Sequence, residues 1–385
     1  VLLLEILKVI NLLKMKKKIL IGVAIVVIIL LAVFLNYNQK PNTQGLKVGA
    51  IMSLTGDFGA VGENTLKGMK VAQGIYKEKT GNQVDLVVED DGGDGAKGLS
   101  AYRKLTTQDN VGGLINFFTT TMDSIYEPSK SANFPIMMVA FQANNVADDQ
   151  VFQMTQGNDN VWDRFSTYIK GAGFNESKVV VVHSIDAAQD SFAKAFVKEY
   201  DKPATTIVAS SDKNALRSDA AKIAALKPTT IVFIMTPENG AILTKELLPL
   251  IDASTQLVYD IQLTTGTSYY ETQLGNGLSR INGAIALGME GDLNSSEYKE
   301  FYNAYKKMYP NEEPGFLADY GYDTFMTYVN SYNIDKSNWI SNLKDTDTKG
   351  ASGVVKFDKN GIRIPPLVIK KVTDGKLQTV SRLPL

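Results

Sequence analysis

Four short stretches hold the residue types from which a chemical site could be assembled, and each lies where a strand should end. Gly56-Asp57-Phe58-Gly59-Ala60-Val61-Gly62 sits between an apolar run and a helical one, the place of a glycine-rich phosphate loop. It lacks GxGxxG spacing and the Gly-Lys-Ser/Thr of a P-loop, so it reads as a tight turn whose glycines let the backbone approach a ligand or the following helix. Glu89-Asp90-Asp91-Gly92-Gly93-Asp94 gathers four carboxylates but not the alternating ligands and closing Glu of a calcium loop. It reads as a solvated turn that caps a helix starting near Ala96. Thr119-Thr120-Thr121-Met122-Asp123-Ser124 offers hydroxyls and free N–H groups at a helix N-terminus, which suit a carboxylate or another anion. The same residues equally suit an N-cap at Thr120 or Thr121, with Asp123 complementing the helix dipole. His183 closes the run Val179-Val180-Val181-Val182 at a cleft edge, and no G-x-S-x-G elbow supplies the nucleophile that a catalytic base would need. It reads as a structural residue or a passive pocket wall.

Composition narrows the chemistry further. The 385 residues contain no Cys and one His, which excludes thiolate metal sites, Cys nucleophiles and His-rich zinc or iron sites. No cofactor is implied. Lys+Arg 40 against Asp+Glu 41 gives a net charge of -1, without the basic footprint that nucleic-acid binding requires. With 44% hydrophobic and 21% charged residues the chain can build packed cores, and its length calls for two domains.

These stretches must be positioned by an alternation of strand and helix. Short β-branched runs at 47–52, 84–89, 113–118, 136–140, 178–183, 205–209, 230–235 and 256–259 predict strands. Helical spacing occupies 66–79, 96–108, 163–171, 192–200, 215–225 and 240–250. This order predicts an α/β fold with mostly parallel sheets covered on both faces, and there are enough strands for two sheets. The break between them falls at Gln156-Gly157-Asn158-Asp159-Asn160. After Gly288 come long helical segments at 295–309 and 316–332, then a final pair of strands at 353–357 and 366–372.

The N-terminus reads as an address. Residues 19–35 form an uncharged apolar run of membrane-spanning length behind Lys16, Lys17 and Lys18, which predicts a cytoplasmic N-terminus and an exported remainder. No small-x-small cleavage site follows it, so residues 15–35 are expected to be an uncleaved transmembrane anchor in preference to a removed signal. Met15-Lys16-Lys17-Lys18 resembles the start of an export segment; residues 1–14 then precede the true start or form a surface helix, and 36–45 reads as a linker.

Taken in order, the exported region from about 46 to 380 resembles the type I solute-binding proteins of ABC importers, specifically the leucine/isoleucine/valine-binding family. Three motifs carry the resemblance. They are Lys47-Val48-Gly49-Ala50-Ile51-Met52-Ser53-Leu54-Thr55-Gly56 with Gly62 and Gly68, then Glu89-Asp90-Asp91 with the helix to Leu105, and Gly350-Ala351-Ser352-Gly353-Val354-Val355-Lys356-Phe357-Asp358-Lys359-Asn360-Gly361. The last is similar to the family's Gly-x-x-Gly-x-x-x-Phe-Asp-x-x-Gly signature and is the most specific.

The resemblance implies two Rossmann-like lobes joined by three crossovers, 46–156 with 289–355 and 157–288 with 356–385, closing by a hinge on one solute without transforming it. It implies first-lobe contacts at Phe118, Thr119 and Thr120, then Phe141, Gln142 and Ala143, the last standing where relatives carry Ser or Thr. On the second lobe, Ala188 and Met235 stand where relatives have tyrosines, and the ammonium-binding acid falls at Asp260 or Ile261. Loss of that acid would cost an α-amino acid about 1.5–3 kcal/mol, about ten- to a hundredfold in affinity. Phe58, Phe141, Gln142, Met235 and Gln262 imply apolar walls with amide donors, and Asp186, Asp260 or Gln262 would complete the second-lobe wall. The expected protein is thus a monomeric, extracytoplasmic, membrane-anchored substrate-binding component that hands an amino acid, amide or carboxylate-like solute to ABC permease subunits. A ligand-sensing module that signals through a membrane receptor would have the same lobes. A hydrolase using His183 would need a Ser or Thr within its hydrogen-bond reach.

Overall fold

The computed structural model describes residues 45–56, 58–132, 134–140, 150–155, 158–185 and 187–384, the side chains of 158–160, 187 and 188 aside. Its first half alternates strand and helix: β1 (Lys47–Met52), α1 (Gly59–Thr80), β2 (Asp85–Asp90), α2 (Gly95–Thr107), β3 (Gly113–Asn116), α3 (Thr119–Ser129), β4 (Ile136–Met138) and β5 (Val151–Gln153). These strands make one five-stranded sheet, order β2-β1-β3-β4-β5, parallel throughout. β3 and β4 are buried at every position, as expected of strands covered on both faces.

The second sheet takes α4 (Asn158–Gly171), β6 (Val179–Ser184), α5 (Ala187–Tyr200), β7 (Ala204–Ala209), α6 (Leu216–Ala225), β8 (Thr230–Ile234), α7 (Pro237–Leu247), β9 (Gln256–Tyr259), α8 (Gln262–Thr265), α9 (Thr267–Leu274) and β10 (Ile285–Met289). It ends with β13 (Leu367–Thr373) and β14 (Lys376–Leu383), giving the order β14-β13-β10-β9-β8-β6-β7. Between β10 and β13 the chain forms α10 (Ser296–Met308), α11 (Ala318–Ile334), α12 (Trp339–Lys344) and a small hairpin, β11 (Asp347–Gly350) and β12 (Gly353–Lys356).

The segments from α10 to β12 pack on the first sheet's side: Phe301, Tyr320, Phe325, Tyr328, Val355 and Phe357 share a core with Val48, Met69, Ile115 and Phe152. The chain therefore passes between the two sheets three times, between β5 and α4, between β10 and α10, and between β12 and β13. Helices α1 and α11 approach closely because glycines face backbone on both sides. A Cβ at Gly68 would lie 1.8 Å from the Ala318 carbonyl oxygen, and one at Gly321 would lie 2.1 Å from that of Thr65.

Four expectations are corrected. The membrane anchor over 15–35 falls outside the described residues, and among those described no helix is long and apolar enough to cross a membrane. The longest, α1, carries Glu63, Lys67, Lys70 and Lys77 and is an amphipathic covering helix; the transmembrane helix and the anchored location are therefore withdrawn from the account. The second sheet is mixed, because β13 pairs antiparallel with both β10 and β14. The two late strands do not pair with each other: β12 closes on β11, and β13 joins the second sheet. Finally, Asp91 is buried and not solvated.

Candidate functional site

Parallel strands deliver the expected residues to the carboxyl edges of the sheets, where open α/β folds bind ligands. On the first sheet, β1 leads to Phe58 and β3 leads to Phe118. Their rings lie 4.3 Å apart between centroids, and Phe58 is 37% exposed, so this edge ends in an aromatic pair open to solvent. Phe118 is the N-cap residue of α3, and its carbonyl accepts from Asn116 Nδ2 at 2.8 Å and from Met122 N at 3.2 Å. Thr119 is half-buried at the first position of the helix. Thr120 is exposed, and its hydroxyl donates to the Gly93 carbonyl at 3.1 Å, tying α3 to the turn before α2.

The carboxylate cluster is a scaffold for that edge. Asp91 accepts from Ser53 Oγ at 2.7 Å, from Gly93 N at 2.8 Å and from Thr121 Oγ1, so a single buried side chain joins the ends of β1, β2 and the start of α3. Asp90 accepts from Leu54 N, Gly92 N and Thr55. Burial alone would raise its pKa; the hydrogen bonds from Thr55, Gly92 and Leu54 outweigh it and hold the carboxyl below the usual range. Asp94 caps α2 by accepting from Lys97 N at 2.8 Å. The glycine loop likewise packs on its own strand: Cβ atoms at Gly59 and Gly62 would lie 2.9 Å from Leu54 O and 1.9 Å from Ser53 O.

On the second sheet, β9 ends at Asp260, which is buried; its Oδ1 accepts from Gln262 N at 2.9 Å. Gln262 is half-buried, with Oε1 accepting from Thr265 Oγ1 at 3.3 Å. Met235 packs into the second-lobe core with Tyr259, Leu263 and Tyr270, behind the edge. His183 is buried, and its Nδ1 lies 2.8 Å from the Ser184 carbonyl, which fixes Nδ1 as the protonated nitrogen. Phe141, Gln142, Ala143 and Asp186 lie outside the described residues.

Residue-by-residue reading missed the wall around Asp260. A shallow hollow beside its carboxylate is lined by Trp162 from α4, Phe192 from α5, Ile261, and Leu287 and Met289 from β10. Trp162 and Phe192 have ring centroids 5.6 Å apart, and Trp162 is one of only two tryptophans in the chain. The available signal was a rare aromatic following the Gly157 break at which the chain crosses between sheets. The hinge was missed as well. Fully buried Arg363, on the third crossover, donates to Ser352 Oγ at 2.9 Å, Ser352 O at 3.0 Å and Val354 O at 2.9 Å, with its guanidinium 5.0 Å above the Tyr320 ring. Asp323 in α11 accepts from Ala351 N and Ser352 N, each at 2.7 Å, and from Ser352 Oγ. The Gly350 to Gly361 signature thus builds the hinge: a Cβ at Gly350 would strike the Asp323 carboxylate, and Gly361 (φ +74°) sits against Val151 O.

Two lobes, three crossings and carboxyl edges bearing an aromatic pair and a buried acid describe a clasp. A family model described as a periplasmic binding protein matches residues 45–373. The chain belongs to the periplasmic binding protein family. Its fold is that of the type I members, related to leucine/isoleucine/valine-binding solute-binding proteins, and the family binds solutes without catalysis. Similar periplasmic binding proteins of known structure include a leucine-binding protein from Thermotoga maritima, with 17% identity, TM-score 0.74, and coverage of 88% of this chain and 98% of that one. Another is the branched-chain amino acid transporter substrate-binding protein of Streptococcus pneumoniae in complex with isoleucine, with 20% identity, TM-score 0.74 and coverage of 87% and 99%. A solute-binding protein from R. palustris in complex with 4-hydroxybenzoate has 15% identity, TM-score 0.75 and coverage of 88% and 98%. No curated protein matches the chain. Among the described residues no cluster of His, Asp and Glu could hold a metal ion.

Proposed function

We propose that this protein is the extracytoplasmic solute-capturing component of an ABC importer, a monomer that closes two lobes on a small polar organic solute and presents it to permease subunits. The lobes are 46–156 with 289–355 and 157–288 with 356–385. The observation that carries this reading is the pairing of a three-crossover hinge with two carboxyl edges, one ending in Phe58 and Phe118, the other in Asp260. Thr119 and the helix start at α3 meet an anionic or carbonyl group, Phe58 and Phe118 pack on the solute body, and Asp260 with Gln262 receives its donor groups. Phe141, Gln142, Ala143 and Asp186 complete the two walls, and Met235 backs the second one. Thr120 is the weakest member, because its hydroxyl is spent on Gly93. An amino acid, an amide or a small carboxylate satisfies this set. A thermal-shift screen with amino acids, amides, carboxylates and nucleosides tests the reading, because a solute bound only by the folded state raises Tm. A selective rise with one of the first three classes is expected; a rise with nucleosides alone, or none in any class, contradicts it.

A further inference from the structure

Building on that reading, we infer that Trp162, Phe192 and Met289 select the body of the solute, and that this body is uncharged and apolar. The hollow they line adjoins Asp260, so a solute whose donor group meets that carboxylate has its remaining atoms against these side chains. Among the lining residues only Asp260 and the indole N–H of Trp162 offer conventional side-chain hydrogen bonds; Val161, Phe192, Ile261, Leu287, Met289 and Leu367 offer none. Trp162 is held in place from behind, packed on Phe165 and Phe196 with centroids 6.2 Å away in each case. The wall therefore cannot turn a polar group toward an incoming hydroxyl or amide. A polar body there gives up its water and gains no partner, whereas an aliphatic body gains contact. The exposed Phe58–Phe118 pair gives the first lobe's edge the same character.

The inference is tested by calorimetry with pairs that share a head group and differ only by isopropyl against carboxamide: L-leucine and L-asparagine, isovaleramide and malonamide, isovalerate and malonamate. In the pair whose head group binds, the isopropyl member is expected to bind at least about tenfold more tightly. Phe192→Asn, at a half-buried helix position, should reduce that ratio several-fold, and Val208→Asn, on the exposed edge strand β7, should leave it unchanged. Equal or tighter binding of the carboxamide member, or a ratio untouched by both Phe192→Asn and Trp162→Leu, overturns the inference and leaves the solute-binding reading standing. Failure of all six compounds to bind removes both.

Discussion

Arg363 and Asp323 meet through one hydroxyl: Ser352 Oγ accepts from Arg363 Nη1 at 2.9 Å and itself donates to the Asp323 carboxylate. A guanidinium from the third crossover and a carboxylate from α11 are thereby locked around the β11–β12 turn. Gly291 on the second crossover packs against that turn, where a Cβ would lie 2.8 Å from the Ser352 carbonyl carbon. The hinge is a rigid block of charged and backbone groups, not a loose linker.

Removing one charge from this block leaves the other buried without its counterpart. Arg363→Met should cost about 3–5 kcal/mol of stability. Ser352→Ala, which removes one hydroxyl from between two charged groups, should cost less, about 1.5–3 kcal/mol. Urea unfolding with both single variants and the double variant checks this, and the costs should be clearly non-additive because the residues share one network.

Asp319, in the first turn of α11, is pushed up to about 7, first by burial and then by the nearby Asp323 carboxylate, with Arg363 pulling the other way. Its accessible surface is only partly closed, but its carboxyl is desolvated. A raised carboxyl pKa means that the folded state holds the proton more tightly than the unfolded one. This group's contribution is therefore most favourable below the ordinary carboxylate range and is lost as pH rises toward 7. Asp319→Asn should stay neutral throughout, so its stability relative to wild type should improve between about pH 5 and 8, as read from denaturation midpoints at both ends.

Thr119 and Thr120 separate binding from scaffolding. Thr120→Ala frees the Gly93 carbonyl and should cost about 0.5–1.5 kcal/mol of stability with little change in solute affinity. Thr119→Ala should weaken solute binding by up to about tenfold with a smaller effect on Tm. Paired calorimetry and thermal melts on the two variants distinguish these outcomes.

Close approach of α1 and α11 makes Gly68 intolerant of a side chain. A methyl group 1.8 Å from the Ala318 carbonyl oxygen must push the helices apart, so Gly68→Ala should destabilise by about 1–3 kcal/mol or more. Gly81→Ala, with open space around its Cβ but φ at +73°, should cost only its backbone strain, about 1 kcal/mol, at the α1 C-cap.

The α/β alternation was legible because strands buried on both faces are continuous β-branched runs: 47–52 and 256–259 match β1 and β9 to the residue, and 230–235 overruns β8 by one. What escaped was short or ambiguous. β5 has three residues, β10 is interrupted by Gly288, and β14 alternates Lys, Gln, Thr, Ser and Arg on an exposed edge. At the site, strand ends could be placed from sequence because the sheet fixes them. The aromatic wall could not, because Trp162 and Phe192 belong to different helices and meet beside Asp260 only after the second sheet has formed. The Gly350 to Gly361 signature was recognisable as sequence, but its work in the hinge depends on Asp323 and Arg363, which enter through tertiary contacts alone.

Native mass spectrometry of the purified protein incubated with the same six amino acids, amides and carboxylates tests the central claim most directly. One solute per chain, recovered at its original mass after release, is the predicted result. Release of a chemically altered solute, or no bound mass with any of them, would contradict it.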